Sequence, residues 1–556
     1  MNVEPHVVPV LIVGGGPVGL ALAANLGRRG IQCMLVEKRS DRLESAKMIE
    51  VSVRTMELCR QLGISETVRN WGFPFSNQLD SAFVTDMQGY EIGRVETPTL
   101  AAASGSEYSP ERNRPCPQTW FDPILQRCAK SFANVSLHYN TALEDFTQDV
   151  DGVTANLKRS VTGKAKAVRA QYLVGCDGYS STVRSLLGIE VRGEQNLGLA
   201  MSVYIRINNL QQYHNQKPAY RYVFVGPEGT WMLLTMVDGR DLWRLQIIGV
   251  SESELDKTDV HQLFRRCMGR DIPYQIEDKS LWLRKMLVAD RFSDGRVFLA
   301  GDAAHAHPPN GGLGMNTGIQ DAFDLGWKLA AILQGWGGLT LLESYDYERR
   351  PAASRAAEES LASFRRLTNV APGPCILSPA AEGDAIRQKV GHTLVTENER
   401  SWHSMGVHLG YIYNPSPIVV HDGSERPTSD TFAYQPSSFP GCRAPHVWLA
   451  SERSILDLFG GGFVLLKFED VDTGAFERAA SSRGVPLTVH TVFSPEAAER
   501  YQKRLVLVRP DGHVAWRGHS IPSDVLSVID TVRGAGPRMA ARRSDIVGVN
   551  AANVRN

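Results

Sequence analysis

This chain has no excess of either charge, no paired-cysteine motif and no long unbroken apolar run, and each absence narrows what it can be. Lys plus Arg and Asp plus Glu number 60 each in 556 residues, so no net field recruits nucleic acid or an anionic membrane. The eight cysteines stand at 33, 59, 116, 128, 176, 267, 375 and 442. No two are spaced C-x-x-C, which argues against a zinc ribbon, a redox dithiol and a disulfide framework. The most apolar stretch, residues 7–27, is interrupted by five glycines and two prolines and has no basic segment before it. Neither a secretory signal nor a membrane span is therefore expected. Repeats, low-complexity tracts and long charge runs are missing as well. A cytoplasmic enzyme of several domains is the expectation, because 556 residues exceed one core.

What is present begins at Leu11-Ile-Val-Gly14-Gly-Gly16-Pro17-Val18-Gly19. A buried strand, residues 8–13, runs into a turn too tight for side chains. Gly14 permits the turn, Gly16 admits a pyrophosphate to the backbone, and Gly19 lets the next helix, residues 20–29, pack on the strand. That helix aims its N-terminal N–H groups at phosphates. Eighteen residues past Gly19, Glu37 ends a second apolar run, where a carboxylate accepts ribose hydroxyls. Strand, glycines, helix, strand and acid at this spacing specify an ADP-containing dinucleotide.

Two further signals lie far along the chain. Tyr172-Leu-Val-Gly-Cys176-Asp177-Gly178 reads as a strand and acidic turn before a helix capped by Ser180 or Ser181. By itself this turn also fits an acidic cap on a structural helix. Arg296-Val-Phe-Leu-Ala-Gly301-Asp302 is another strand ending in an acid, followed by a loop rich in Pro and Gly and a helix over 317–333. Ligands of open α/β sheets sit at such carboxyl ends.

Together these three motifs resemble the class A, single-component flavoprotein aromatic hydroxylases, in particular the phenol-hydroxylase-like and polyketide-hydroxylase branch. The likeness covers nearly the whole chain and extends to Arg54, to Gln118 in Pro-Cys-Pro-Gln, and to Val508-Arg-Pro-Asp-Gly512. It implies FAD as cofactor and NAD(P)H and O2 as co-substrates. Gly14, Gly16, Pro17, Val18, Gly19, Glu37 and Lys38 would meet the ADP half. Lys47, Arg54, Gln118 and Leu143 would reach the pyrophosphate and ribityl region, and Asp302 the ribityl chain. Pro309, Gly314, Met315 and Asn316 would meet the flavin edge, and Asp177 both FAD and nicotinamide. The family places the Pro308 carbonyl over the flavin, near the substrate. A flavin C4a-hydroperoxide would then deliver oxygen to an electron-rich ring.

The fold class expected is α/β: a Rossmann-like FAD-binding domain, an inserted antiparallel β-sheet substrate domain, and a thioredoxin-like C-terminal domain. The FAD domain is discontinuous (1–76, 105–190 and 285–370). Strands at 77–104 and 191–284 form the substrate sheet, with strands expected near 200–207, 220–225, 230–237 and 242–248. Residues 317–370 read as mainly helical with a break at Pro351. Residues 371–440 form a linker with helix, and 441–556 a β-α-β unit and hairpin without a redox pair, so a packing or dimer role is expected for it.

Glu50, close before Arg54, is a candidate base, with a structural carboxylate as its rival reading. His305 and His307 form an H-x-H pair, but nothing nearby completes a ligand set and no metal is expected. Met232, Leu234 and Met236 share one alternating face, which with Tyr222 is the candidate substrate wall. Methionines there would adapt to an irregular shape. Neither face of that strand carries an arginine for a benzoate carboxylate, although Arg206, Arg221 and Arg244 on neighbouring strands could supply one. A bulky or apolar phenol is favoured. Two competing readings stand beside hydroxylation: Baeyer–Villiger or epoxidising chemistry on the same fold, and a non-catalytic flavin-binding scaffold or sensor.

Overall fold

A computed structural model describes residues 6–41, 47–102, 106–250, 259–402 and 404–536. The fold is mixed α/β. Four parallel strands form the centre of the first sheet: Val135–His138, Cys33–Val36, His6–Val13 and Ala165–Gly175, with Val297–Leu299 continuing it beyond the last. Their register aligns Val13 with both Val36 and Gly175, and Gly175 with Leu299. All the motif-bearing turns therefore leave the sheet along one edge. Val8, Val10, Leu11 and Ile12 are almost fully buried, as expected for a strand covered on both faces. Helices Pro17–Arg28, Gln118–Lys130 and Leu313–Leu333 pack around this sheet.

A seven-stranded sheet stands beyond the carboxyl edge. Its order is Gln275–Leu283, Leu199–Arg206, Leu242–Val250, Gly229–Met236, Arg221–Gly226, Ser81–Val84 and Glu91–Val95. The expected antiparallel pairing holds except between Ser81–Val84 and Arg221–Gly226, which run parallel. One face is sealed by the helix Val260–Met268, whose Phe264 and Cys267 pack with Met201, Phe224 and Leu245.

Helices Leu313–Leu333, Thr340–Thr368 and Ala381–Trp402 follow. The expected break at Pro351 does not occur, since Thr340–Thr368 runs through it. Pro351 sits on the exposed side of that helix, where a missing N–H costs least. The interruption falls instead at 334–339, where Gly335 takes φ +82°. Near the C-terminus, Phe463–Lys467 pairs parallel with Leu487–Thr491 and antiparallel with Leu505–Val508, which continues into a hairpin with Val514–Gly518. Before this unit, Arg453–Ser454 is a two-residue strand that leads into the short 3-10 turn Ile455–Leu458. Residues 537–556 of the expected C-terminal domain lie outside the described residues.

Candidate active site

The aligned strand ends open into one cavity of about 1130 Å³ that continues to the seven-stranded sheet. At its floor Gly14 takes φ +113°, and a Cβ there would lie 2.3 Å from the Cys176 carbonyl oxygen. No other residue could occupy that turn. A Cβ on Gly19 would stand 2.0 Å from the Gly14 carbonyl oxygen, so helix and strand touch backbone to backbone. Gly16 is different: a Cβ there would meet nothing within 4 Å, because it would project into the cavity.

Gly14, Gly16, Pro17, Val18, Glu37, Lys38, Lys47, Gln118 and Leu143 all line this cavity, although they come from separate segments. Glu37 Oε2 accepts from the Gly15 N–H at 2.8 Å, and Oε1 accepts from Arg39 N and Nε at 2.9 and 3.0 Å. Burial opposes its charge, but these donors hold the carboxyl below its ordinary range. Gln118 opens its helix with Oε1 accepting from Lys47 N at 3.3 Å and Nε2 donating to Asp122 at 3.0 Å. Burial pushes the Asp122 carboxyl up to about 7.

The other two motif turns face the same space. Asp177 lines the cavity, yet its carboxylate also caps the helix Thr182–Leu186, accepting from Ser181 Oγ at 2.5 Å and Val183 N at 3.1 Å. Arg184 then donates to the Ala303 carbonyl at 2.7 Å, tying this turn to that of Asp302. Asp302 lines the cavity with Pro308, Pro309, Gly314 and Met315, and desolvation raises its carboxyl. Left-handed Gly311 and Gly312 carry the chain into the helix Leu313–Leu333.

Three expected cofactor residues are not on the wall: Gly19, which touches the Gly14 carbonyl instead, Arg54 and Asn316. Arg54 is buried behind it, donating to Glu57 Oε2 at 2.8 Å and to the Asp511 carbonyl at 2.7 Å. It faces the C-terminal unit, because its position on the helix Val53–Gln61 turns it away from the cavity. Asn316 is also buried. Its Oδ1 accepts from Ser52 N at 2.9 Å, while Nδ2 donates to the Gly312 carbonyl at 2.7 Å. It braces the glycine loop from outside the cavity.

The substrate wall is the reverse of the expected one. Met232, Leu234 and Tyr222 are sealed in the core under the helix Val260–Met268, with Met236 packed at its margin. Tyr222 Oη is already engaged with Lys217 and Ala219. Side chains alternate along a strand, so the neighbours face the chamber: Leu233, Thr235, Arg221, Arg244, Gln246 and Ile248. The fully apolar face was needed to bury against Phe264 and Cys267. The face with polar groups lines the cavity. Trp282, Phe364, Met405 and His408 complete the chamber from distant segments, and no motif marked them.

The cations of this wall differ in their partners. Arg221 Nη2 donates to Glu50 Oε1 at 3.0 Å. Arg244 has no ion pair or hydrogen bond among the described residues, and its Nε is buried. Arg206 lies elsewhere, paired with Asp241 at 2.6 Å and Glu277 at 3.0 Å.

A dinucleotide cradle opening into a second, sheet-roofed chamber defines a cofactor-dependent α/β enzyme. Residues 7–360 match the FAD binding domain family, and residues 437–535 the aromatic-ring hydroxylase C-terminal family. The tetracenomycin B2 monooxygenase-dioxygenase of Streptomyces olivaceus is 34% identical, over 94% of this chain and 98% of its own. The 2,4-dichlorophenol 6-monooxygenase of Cupriavidus pinatubonensis is 30% identical, over 96% and 97%. The rebeccamycin biosynthetic enzyme RebC with reduced flavin superposes at a TM-score of 0.89 with 38% identity, covering 96% of this chain and 100% of that one. The chain belongs to the FAD-dependent aromatic-ring hydroxylases and is a flavoprotein monooxygenase. Among the described residues no helix is long and apolar enough to cross a membrane.

Proposed function

We propose that this enzyme hydroxylates a large, electron-rich aromatic ring, normally a phenol, that also carries an anionic group, consuming NAD(P)H and O2. The observation that carries this reading is Arg244, an arginine without a counter-charge on the wall of the chamber. A half-buried guanidinium left without an acceptor is unfavourable until a carboxylate or phenolate arrives. The cavity of about 1130 Å³ exceeds an ordinary ligand pocket because it must take a dinucleotide and a substrate together. Polycyclic names among the relatives and neighbours, tetracenomycin and aklavinone, support a bulky ring system.

The residues present fit FAD. Gly16 leaves backbone open to a pyrophosphate at a turn that Gly14 permits, and Glu37, Lys47, Gln118 and Asp302 surround the space beyond. FAD, when bound, supplies electron transfer and oxygen activation. The protein supplies the rest. The Leu313–Leu333 helix starts at the glycine loop and aims backbone N–H groups toward the cavity, where negative charge is stabilised. Pro308 and Pro309 stiffen that loop, and the Pro308 carbonyl is assigned to face the substrate. Leu233, Ile248, Trp282 and Phe364 exclude water. Arg221 and Arg244 fix the ring through its anionic group.

The C-terminal unit, a β-α-β followed by a hairpin and a helix, is read as thioredoxin-like with a packing role. All eight cysteines are free thiols, which supports a reducing, cytoplasmic setting.

The test follows NAD(P)H, oxygen and peroxide together in the FAD-loaded enzyme across naphthols and hydroxyanthraquinones, each with and without a carboxylate. Fast oxidation matched by a hydroxylated product, with the carboxylated members preferred, supports the reading. Preference for the neutral members removes the anionic part of it. An absence of stimulation by every compound removes the hydroxylase assignment.

A further inference from the structure

Strand register rules the chamber wall into rows. Arg221 is the partner of Thr235, and Thr235 of Arg244, so these three form one row across neighbouring strands. The next row runs Leu233, Gln246, Ser202 and Ser280, each the register partner of the one before it. Ile248, Ala200 and Trp282 make a third. Residues two apart on a strand face the same side, so successive rows lie about 7 Å apart, and the first and third about 13 Å. Every side chain of these rows except Ala200 lines the cavity. Along the strands the wall therefore presents cations, then uncharged polar groups, then hydrocarbon and an indole.

The fold makes little use of the polar groups in the middle row. The side-chain amide of Gln246 and the hydroxyl of Ser280 form no hydrogen bond among the described residues. Trp282 Nε1 donates to Ser202 Oγ at 3.2 Å, which fills one acceptor position of that hydroxyl and leaves its hydrogen to donate. Leu233 in the same row shows that hydrocarbon also suits this level of the wall. On the opposite face of the same strands, Val203, Leu245 and Met232 are sealed in the core, so the polarity is confined to the side that meets the cavity. The charge of Arg244 in the adjoining row favours an amide whose oxygen turns toward the guanidinium, and the N–H groups of Gln246 are then left for a ligand.

Resting on the hydroxylase reading above, we propose that Gln246 is a specificity-determining residue, which with Ser202 and Ser280 selects substrates bearing a keto or quinone oxygen about 7 Å from their anionic group. The anionic group lies at Arg244, the oxygen accepts from Gln246 and a serine, and the remaining hydrocarbon rests on Ile248 and Trp282. A ring system with only carbon at the middle level would strip water from three polar groups and pair none of them, and a site that hydrogen-bonds its substrate discriminates strongly against such an analogue.

The test measures the affinities of an anthraquinone carboxylic acid and the matching anthracene carboxylic acid, which differ in the keto oxygens, through the flavin spectrum of the FAD-loaded protein. Wild type is compared with Gln246→Leu and Gln246→Met, which fill similar space without a donor. The ratio of the two affinities, quinone over hydrocarbon, should fall by about tenfold from wild type to either variant. The anthracene acid should bind the variants at least as well as wild type, which also reports that they are folded. Arg244→Ala should weaken both acids and preserve the ratio, because it acts on a different row. An unchanged ratio in both Gln246 variants overturns the role of Gln246 and leaves the hydroxylase reading intact. Failure of wild type to bind either acid overturns the anionic aromatic reading, and this proposal with it.

Discussion

Arg221 and Glu50, both on the wall of the cavity, are paired Nη2 to Oε1 at 3.0 Å. The sequence placed Glu50 near the flavin and offered it as a base or as a structural carboxylate. Its ion pair makes it a restraint on Arg221. Glu50→Gln should therefore keep kcat within about threefold of wild type, because loss of a general base costs roughly 10²–10⁴. KM for an anionic phenol should fall as Arg221 is released. Arg244→Ala should raise KM for the same substrate by about tenfold, ~1.4 kcal/mol, and leave a neutral analogue unaffected. Steady-state kinetics on a matched carboxylate and neutral pair check both.

The glycine cradle gives a paired prediction. A Cβ on Gly14 meets the Cys176 carbonyl at 2.3 Å and would sit at φ +113°, so Gly14→Ala should destabilise the apoprotein and lower its Tm. Gly16→Ala meets nothing and should leave the apoprotein Tm unchanged. It should nevertheless weaken FAD by about 100-fold, ~2.8 kcal/mol, because its methyl occupies the space of the pyrophosphate. Scanning calorimetry of the apoprotein and fluorescence titration with FAD separate the two effects.

These glycines also mark where the sequence was most legible. Gly14, Gly19 and Glu37 act through backbone geometry and local spacing, which a one-dimensional pattern encodes. The alternation of the substrate strands was equally readable, and residues 230–237 match the observed Gly229–Met236 closely. What alternation cannot give is the sign of the face. Met232 and Leu234 turned inward because the helix Val260–Met268 needed an apolar floor, a partner that lies outside the strand's own sequence. The contacts of Arg54 were illegible for a similar reason, since Asp511 is 457 residues away. Asp321 lay inside an expected helix with no local signal, and only folding brings it to His305.

Buried neutral histidines should make the fold sensitive to mild acid. Burial lowers His408 and His513 to about 4, against the pull of Asp511 in the second case, and burial with Arg443 lowers His446 to about 4. A depressed histidine binds fewer protons folded than unfolded, so its contribution is complete above the unfolded value of about 6.5 and is lost as pH falls toward 4. Tm should accordingly decline from pH 7 to pH 5. His446→Gln should flatten that decline, because one group that must stay neutral is gone. A variant with the wild-type slope would show that His446 does not contribute.

Arg54 offers the sharpest separation of a cofactor contact from a structural one. Its guanidinium joins a buried group in which Glu57 also accepts from Arg443 Nε at 2.9 Å and from Ser109 Oγ at 2.6 Å. The Asp511 carbonyl that it reaches belongs to the turn of the C-terminal unit, and Asp511 itself is salt-bridged to the buried Arg509. Arg54→Ala leaves these acceptors in a site that water does not reach, and breaking such an arrangement costs about 3–5 kcal/mol. Lysine cannot replace the forked pair of bonds, so Arg54→Lys should recover only part of that loss. Tm should therefore fall in both variants. The fraction that stays folded should bind FAD with nearly wild-type affinity, because the side chain does not reach the cavity. Unchanged Tm with a large loss of FAD affinity would instead return Arg54 to the pyrophosphate, and would require the helix Val53–Gln61 to rotate when the cofactor binds.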